Sequence, residues 1–265
     1  TKVILMLTKS EINFFNEHGY IKLKNEAILK FTNNLQKEIS TIIHKIFKNK
    51  PTLNLDKISL EEQITLLWDE DKQKNNYLKK LYEILPSTIE VISTCQNESF
   101  FSISQSLGIN HPEPSTLPTV RIDRPFDKKY STGIHQDYWY SFQSETSITF
   151  WLPLININPK MGFLSVIPKS HKLGLVDFYD DGKYVFKPKS NFHDSDFLDI
   201  QIELGECLVF SQFLIHKSGE NISNKPRMTL QLRFHDLLNH SIDTSFTCTL
   251  SEFVKAKQKK ILEQS

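Results

Sequence analysis

The sequence predicts an α+β protein in which a mainly helical N-terminal part supports an all-β core. Residues 1–107 contain one Gly and two Pro, whereas residues 108–265 contain seven Gly and nine Pro. Because Gly and Pro mark turns, the first part should be mostly helical and the second rich in short strands. Two clear periodicities agree with this division, a helical one over Glu26–Phe47 and an alternating one over Arg227–Arg233.

The N-terminal part contains one strong helical pattern and several weaker ones. Thr8 or Ser10 would cap a short first helix that ends at Gly19, and the alternating residues Tyr20–Leu23 follow as a strand. Glu26–Phe47 carries apolar residues at helical spacing and should form an amphipathic helix. Further helices are expected at about 59–70, 73–84 and 87–106.

Eight segments of the second part have the composition of strands, with turn residues between them. They are about 118–123, 133–138, 146–153, 162–167, 183–187, 199–203, 206–215 and 226–235. Such a series of short strands is typical of a β-sandwich, a barrel or a jelly roll. We interpret the chain as one domain over residues 1–265, with helical support in 1–107, a jelly-roll core in 108–250 and a C-terminal helix in 251–265.

The last of these strands indicates that the core encloses a polar cavity. Met228, Leu230, Leu232 and Phe234 point to one face, and Arg227, Thr229, Gln231 and Arg233 point to the other. The apolar face can pack beneath the N-terminal helices. The polar face has too many hydrogen-bonding groups for an ordinary core, so we expect it to line a cavity inside a jelly roll.

Composition and charge exclude several classes of partner. The chain has 32 basic and 31 acidic side chains, a net charge near neutral that argues against general nucleic-acid binding. Three Cys without a CxxC pair predict neither a disulfide framework nor a zinc site and favour a cytoplasmic location. The apolar run Val3–Leu7 is too short for a signal peptide, and no stretch approaches a membrane span. We therefore expect no nucleic-acid or membrane partner, and the oligomeric state stays open.

His135 and Asp137 form the sharpest local pattern. Two residues apart on a predicted strand, they project from the same face and can bind one metal ion. A second His from a distant strand would complete a set of two His and one carboxylate. That set leaves coordination positions open and is typical of non-haem Fe(II) oxygenases. The alternative is a surface strand with two polar residues.

His216 closes the apolar strand Cys207–Ile215 and is either a buried core histidine or the distant ligand. Eleven residues later, across a turn, Arg227 lies on the next strand. A bidentate guanidinium near iron suits the distal carboxylate of 2-oxoglutarate, and Thr229 on the same face offers a hydroxyl. Arg233 lies roughly 20 Å farther along at about 3.3 Å per residue, so Arg227 is the preferred candidate. The alternative role for Arg227 is a surface ion pair.

The chain from Leu7 to about Asp236 resembles the phytanoyl-CoA dioxygenase family of Fe(II)- and 2-oxoglutarate-dependent oxygenases. The matching motifs are His135-Gln136-Asp137, Phe150-Trp151, Gly162-Phe163-Leu164 leading to Pro168-Lys169-Ser170-His171-Lys172, Gly205-Glu206-Cys207-Leu208-Val209-Phe210, and His216-Lys217-Ser218-Gly219 with Asn221 and Arg227. One departure is Lys169, where the family commonly has Gly. The resemblance implies a double-stranded β-helix, the jelly roll of the cupins.

The resemblance also implies site residues and cofactors. By position, His135, Asp137 and His216 are the iron ligands and catalytic centre, and Arg227 is the 2-oxoglutarate anchor. Gln136, Trp151 and Ser218 match positions that line the co-substrate pocket in relatives, although strict alternation would turn Gln136 away from iron. The implied cofactors are Fe(II), 2-oxoglutarate and O2, and the implied products include succinate and CO2. Asp137 favours hydroxylation, because related halogenases replace this carboxylate with a small residue.

The substrate is less well defined by sequence. Tyr138 and Trp139 follow the metal motif and either wall a substrate pocket or belong to an aromatic core cluster. Arg121 and Arg124 precede it and are candidates to bind an anionic substrate group, the alternative being exposed ion pairs. The mixed segment 173–199 is a candidate lid.

The expected function is hydroxylation of a small molecule such as a metabolite, a sugar derivative or a natural-product intermediate. Two alternatives remain at this point. One is a non-catalytic jelly-roll binding protein, and the other is a cupin-type iron enzyme that does not use 2-oxoglutarate.

Overall fold

The computed structural model describes residues 6–48, 54–115, 118–127, 132–140, 144, 146–180, 186–236 and 238–239. The helices are α1 (Lys9–His18), α2 (Glu26–Ile46), α3 (Leu60–Lys72), α4 (Tyr77–Ile84), α5 (Ile89–Ser93) and α6 (Glu98–Ser106). The strands are β1 (Tyr20–Lys24), β2 (Pro112–Pro114), β3 (Thr119–Asp123), β4 (Ile148–Pro153), β5 (Leu164–Val166), β6 (Phe178–Asp180), β7 (Phe186–Pro188), β8 (Leu198–Ile200), β9 (Glu206–Ser211), β10 (His216–Ser218) and β11 (Arg227–Asp236).

The N-terminal helices form where local signals are strong. Thr8 and Glu11 make a capping box at the start of α1, and Gly19 ends this helix in the left-handed conformation. The helix expected at 87–106 is divided into α5 and α6, because the side chain of Asn97 accepts a hydrogen bond from the Ser99 amide and caps a new helix. The helix expected at 73–84 begins only at Tyr77.

The β-rich part forms two antiparallel sheets, which confirms the predicted all-β core. The larger sheet has the order β1-β9-β4-β11-β2, and β3 also pairs with β11. The smaller sheet has the order β10-β5-β8, and β6 pairs with β7 in a separate hairpin. A buried apolar cluster that includes Trp151, Phe210 and Leu164 joins the inner faces of the two sheets. This is the jelly-roll arrangement with a supporting helical layer.

The outer face of the larger sheet packs on the helices, as the alternation along β11 predicts. Met228, Leu230, Leu232 and Phe234 share one buried cluster with Ile28, Leu35, Ile39 and Ile43 of α2. Phe100 of α6 links the layers, because its ring lies 5.6 Å from that of Phe31 and 5.0 Å from that of Phe150. The opposite face of β11 is therefore free to carry the polar residues of the site.

The prediction of a strand at 133–138 is wrong. Only His135 pairs there, in an isolated antiparallel bridge with His216, and Asp137–Tyr140 is a 3₁₀ turn. The chain turns because the amide of Tyr138 donates to the Gln212 carbonyl, which pulls it out of an extended path. The strand expected at 206–215 likewise ends at Ser211, where a turn leads to a separate β10.

Three further expectations have different outcomes. The predicted helix at 251–265 lies outside the described residues. The candidate lid at 173–199 contains the β6–β7 hairpin. No helix in the described part of the chain is long and apolar enough to cross a membrane.

Candidate metal centre

His135, Asp137 and His216 converge on one buried point between the sheets. Each offers one ligand atom, and these three atoms lie within 4.8 Å of one another. The distance from the Asp137 Oδ1 atom to His135 Nε2 is 3.6 Å, and that to His216 Nε2 is 3.8 Å. The bridge between His135 and His216 brings the two rings together, and the 3₁₀ turn presents the carboxylate beside them.

Hydrogen bonds to the backbone fix the tautomers of both histidines in a form suited to metal binding. The Nδ1 atom of His135 lies 2.8 Å from the Gly133 carbonyl oxygen, and that of His216 lies 2.9 Å from the Leu214 carbonyl oxygen. A carbonyl only accepts, so each Nδ1 carries the proton and each Nε2 presents a lone pair towards Asp137. Two imidazole nitrogens and one carboxylate oxygen are the donor set that Fe(II) takes in open facial sites.

The protonation states suit the same role. Burial and the neighbouring His135 ring lower the pKa of His216 to about 3, so its imidazole is neutral near neutral pH. Burial alone would raise the pKa of the Asp137 carboxyl, but the charge of Arg233 outweighs it, and the pKa lies well below its ordinary value. The site therefore holds a neutral His216 imidazole beside the Asp137 carboxylate, as metal ligation at these two residues requires.

Two side chains from the larger sheet hold the Asp137 carboxylate. Arg233 donates from Nε to Oδ2 and from Nη2 to Oδ1, both at 3.1 Å. Thr149 donates its hydroxyl to Oδ2 at 2.5 Å. Thr149 and Arg233 are direct neighbours on β4 and β11, so one register positions both donors. Such partners orient metal-binding carboxylates.

Sequence reasoning left Arg233 without a role and did not consider Thr149. The signal for Arg233 was present, because alternation places it on the same face as Thr229 and Gln231. The missing information was the position of Asp137, which reaches this face from a turn outside the sheet.

Arg227 is buried at the inner face of β11, but its guanidinium already has partners within the protein. Its Nε and Nη2 atoms donate to Asp123 Oδ2 at 3.2 and 2.9 Å. Its Nη1 atom donates to the carbonyl oxygens of Met161, Gly162 and Gly219. The edge that a bidentate contact with 2-oxoglutarate would use thus faces an internal carboxylate. The anchoring role of Arg227 stays a prediction.

Two glycines that approach each other closely bring together the three carbonyl oxygens that accept from Arg227. A Cβ atom on Gly162 would lie 2.5 Å from the Gly219 carbonyl carbon, and Gly162 has a φ of +76°. No other residue fits there without moving the backbone. This contact holds the segment before β5 against the end of β10. It therefore lies on the stretch of chain between His216 and Arg227.

The remaining candidates for the co-substrate pocket have separate environments. Thr229 is 1% exposed, and among the described residues its hydroxyl has no hydrogen-bond partner. Trp151 is buried in the cluster between the sheets, opposite Gln231 on β11. Ser218 donates its amide to the Thr132 carbonyl at the end of β10.

Gln136 is fully buried and points away from the metal ligands towards the candidate lid. Its side-chain amide donates to the carbonyl oxygens of Gly174 and Phe213, and its oxygen accepts from the Val176 amide at 3.0 Å. Gln136 therefore connects the metal loop to the segment that leads into the β6–β7 hairpin. This is the direction that strict alternation predicts for Gln136, away from the face shared by His135 and Asp137.

The four substrate candidates lie on different sides of the site. Trp139 is buried and stacks on Phe178 of the hairpin at 5.1 Å between ring centroids, while Tyr138 lies against Phe213 at 5.1 Å. Arg121 donates to Thr132 Oγ1 at 2.7 Å and pairs with Asp123 at 2.9 Å. The guanidinium of Arg124 lies over the Trp68 ring at 5.6 Å.

Lys169 adopts a φ of +70°, the left-handed conformation that favours Gly. A Gly, which the family resemblance leads us to expect at this position, would adopt this conformation more easily than Lys169 does. Its ammonium pairs with Glu17 of α1 at 2.7 Å, so the departure affects a surface loop and leaves the metal ligands unchanged.

Solved structures with a similar fold include one determined with 2-oxoglutarate and one described as alpha ketoglutarate dependent. EctD from S. alaskensis, determined with 2-oxoglutarate and 5-hydroxyectoine, has a TM-score of 0.55 at 16% identity, covering 88% of this chain and 77% of that one. The non-heme alpha ketoglutarate dependent carbocyclase SnoK from nogalamycin biosynthesis has a TM-score of 0.51 at 13% identity, covering 87% and 84%. At these identities the likeness shows the fold.

The fold and the buried triad define a 2-oxoglutarate-dependent non-haem iron dioxygenase, whose cofactors are Fe(II), 2-oxoglutarate and O2. The family model for phytanoyl-CoA dioxygenase (PhyH) matches residues 15–229. The chain therefore belongs to the phytanoyl-CoA dioxygenase family.

Curated relatives agree with this membership. Phytanoyl-CoA dioxygenase 1 of Oryza sativa subsp. japonica is 31% identical and covers 90% of each chain. A phytanoyl-CoA dioxygenase of Arabidopsis thaliana is 25% identical over 85% of this chain and 88% of that protein. A 1-deoxypentalenic acid 11-beta-hydroxylase of Streptomyces exfoliatus is 25% identical over 86% and 81%.

Proposed function

We propose that this enzyme hydroxylates a C–H bond of a small molecule at the buried triad of His135, Asp137 and His216. The observation that carries the proposal is the convergence of two imidazole Nε2 atoms and one carboxylate oxygen at a buried point. When bound, iron with 2-oxoglutarate and O2 supplies the oxidation: one oxygen atom enters the substrate, and the other enters succinate as CO2 leaves. The chain itself binds the metal and the substrate, orients them and excludes water.

In this proposal the triad holds the metal, and Arg233 and Thr149 position Asp137. Because Nδ1 of each histidine is tied to a carbonyl, the two rings cannot turn away from the metal position without losing a hydrogen bond. The two donors on Asp137 keep its carboxylate in place when no cation is present. Retention of Asp137 supports hydroxylation over halogenation.

The co-substrate would extend from the triad along β10 and β11 towards Arg227. Thr229 supports this direction, since its buried hydroxyl has no partner in the described part of the chain and lies two residues from Arg227 on the same face. Ser218, two residues after His216, and Trp151, across the sheet, would flank the path. Gln136 has two of its three hydrogen bonds with the lid segment, at Gly174 and Val176, and would act there.

We propose that the substrate is a small molecule and that the enzyme acts on it in the cytoplasm. The Streptomyces exfoliatus relative is by its name a hydroxylase of 1-deoxypentalenic acid, which supports a small organic acid as the substrate here. Tyr138 and Trp139 would bound the substrate site on the side of the hairpin, and Arg121 and Arg124 would lie on its charged side, in the cavity next to β3.

Metal titration tests the triad directly. We expect the purified chain to bind one Co(II) or Fe(II) per molecule in competition with a chelator. His216→Ala should lose this binding, because only two ligands remain. His193→Ala should keep it, because His193 is exposed and caps the 3₁₀ helix Asp194–Asp196 outside the triad. Equal metal affinity in the two variants would reject the site.

A second titration tests the role of Arg227. Arg227→Lys should raise the 2-oxoglutarate concentration needed for half-maximal turnover, because Lys cannot make a bidentate contact. An unchanged requirement would reject the anchor. Iron binding without 2-oxoglutarate consumption would indicate the cupin-type alternative, and absence of iron binding would indicate a non-catalytic binding protein.

A further inference from the structure

A cavity of about 490 Å³ opens between helix α4 and the edge strand β3. Its outer part is formed by Lys79 and Tyr82 of α4, together with Arg124 just after β3, and the buried side chain of Leu78 also lines it. Its inner part reaches the polar face of β11 at Arg233. Because Arg233 also binds both oxygens of Asp137, one side chain belongs to the cavity and to the metal centre. The inner end of the cavity therefore lies one side chain, Arg233, away from the metal-binding carboxylate of Asp137.

Three of the four arginines of the chain line this cavity, and two of them are neutralised internally. Arg233 is paired with Asp137, and Arg121 is paired with Asp123 at 2.9 Å. These pairs hold the protein together and leave little charge for a ligand.

Arg124 differs from both. Its guanidinium lies over the Trp68 ring at 5.6 Å, and no described residue forms an ion pair or a side-chain hydrogen bond with it. Lys72 lies over the same ring at 5.3 Å, but it is paired with Asp69 at 2.7 Å. Stacking on Trp68 restrains the planar group without using its N–H donors. A restrained cation with free donors at the mouth of a cavity is suited to binding an anion.

We propose, on the basis of the proposed function, that the substrate carries a carboxylate that Arg124 binds at the outer end of this cavity. Lys79, at the same mouth, is paired with Glu83 at 3.8 Å, so Arg124 is the cation that would bind the carboxylate. Leu78 and the ring of Tyr82 would contact the apolar body of the substrate, and the C–H bond to be oxidised would lie at the Arg233 end. The guanidinium fork matches a carboxylate in geometry, so this contact would select organic acids over their neutral analogues.

Matched pairs of ligands test the carboxylate contact. The probes are small aliphatic and aromatic carboxylates and the primary amides of the same skeletons, beginning with cyclohexanecarboxylate and cyclohexanecarboxamide. Binding is measured by calorimetry on the full chain loaded with Zn(II) and saturated with 2-oxoglutarate, so that the co-substrate position is filled and no turnover occurs.

We expect at least one acid to bind about tenfold more tightly than its amide, the factor of one charge-assisted hydrogen bond. Arg124→Gln should remove this preference, and Arg124→Lys should keep part of it. Lys30→Gln, an exposed charge on α2, should leave it unchanged. Equal affinities within every pair, or a preference that survives in Arg124→Gln, would overturn the proposal.

The failure of this inference is distinguishable from failure of the proposed function. Saturation with 2-oxoglutarate is measured first on the same protein. Absence of that binding contradicts the proposed function, whereas normal binding with equal acid and amide affinities contradicts only the carboxylate site.

Discussion

Asp123 holds Arg227 in the interior, and replacing Asp123 with Asn tests this contact. The Asp123 carboxylate accepts from Arg227 through Nε and Nη2 and from Arg121 through Nη2. The side chain of Arg227 is 3% exposed and that of Asp123 is 13% exposed, so solvent replaces little of the lost charge. Asp123→Asn keeps the size and one acceptor but leaves two guanidinium groups facing a neutral amide.

The expected loss of stability follows from this burial. Removing one partner of a buried ion pair costs about 3–5 kcal/mol, and the retained amide oxygen favours the lower end, about 3 kcal/mol. For a domain of this size, that corresponds to a fall of roughly 6 °C in Tm. The cost should be smaller with 2-oxoglutarate present if its carboxylate reaches Arg227, because binding to the folded state restores a negative partner.

The pH dependence provides a second test of the same contact. Burial raises the pKa of the Asp123 carboxyl, but Arg121 and Arg227 outweigh it and lower the pKa below its ordinary value of 3.8. A carboxyl whose pKa is lower in the folded state stabilises the protein above its unfolded-state pKa. That stabilisation is lost as the pH falls from about 4 towards the folded-state value. Asp123→Asn should lose this acid-dependent component.

Urea denaturation monitored by circular dichroism measures these effects in the metal-free protein. Asp194→Asn is the matched control, because Asp194 pairs with Lys217 at 2.5 Å but is 95% exposed, so its removal should change stability little. If Asp123→Asn were no more destabilising than Asp194→Asn, the description of Arg227 as an internally paired group would be wrong.

Three other predictions concern the core, the lid connection and the metal ligand. Leu35→Ala in the fully buried face of α2 should cost about 2–5 kcal/mol in unfolding free energy, measured by urea denaturation, and a loss below 1 kcal/mol would contradict the packing. Gln136→Leu should speed hydrogen exchange at the Val176 amide, which loses its acceptor, with unchanged exchange in α2 as the reference. Arg233→Gln should weaken Co(II) binding by about 10-fold or more through loss of the contact that orients Asp137, and Arg233→Lys should restore part of it.

The features predicted best from sequence are those that depend on local periodicity. Glu26–Phe47 and 226–235 have long uninterrupted patterns, and the observed α2 and β11 follow them within one or two residues. The faces of β11 also followed directly, because alternation assigns each side chain to one side of a sheet. The predicted triad residues also converge, but they do so through the bridge between His135 and His216 and the 3₁₀ turn at Asp137, which alternation does not predict.

The features that sequence reasoning missed depend on contacts between distant segments. The 133–138 segment turns at Asp137 because of a hydrogen bond to Gln212, 74 residues after Tyr138. The partner of Arg227 is Asp123, 104 residues away, and it is fixed only by the register of β3 against β11. Local pattern contains no information on either contact, so the environment of Arg227 and the role of Arg233 required the three-dimensional structure.

Succinate formation from 2-oxoglutarate is the most direct test of the central claim. The chain is loaded with Fe(II) and incubated with 2-oxoglutarate in air, with a panel of small acids, and succinate and O2 uptake are measured together. We predict equimolar O2 uptake and succinate formation that depend on iron and fall to the metal-free background in His216→Ala, with His193→Ala retaining the activity of the unmodified chain. Absence of succinate from the iron-loaded protein across the panel, or equal succinate from His216→Ala, would contradict the claim.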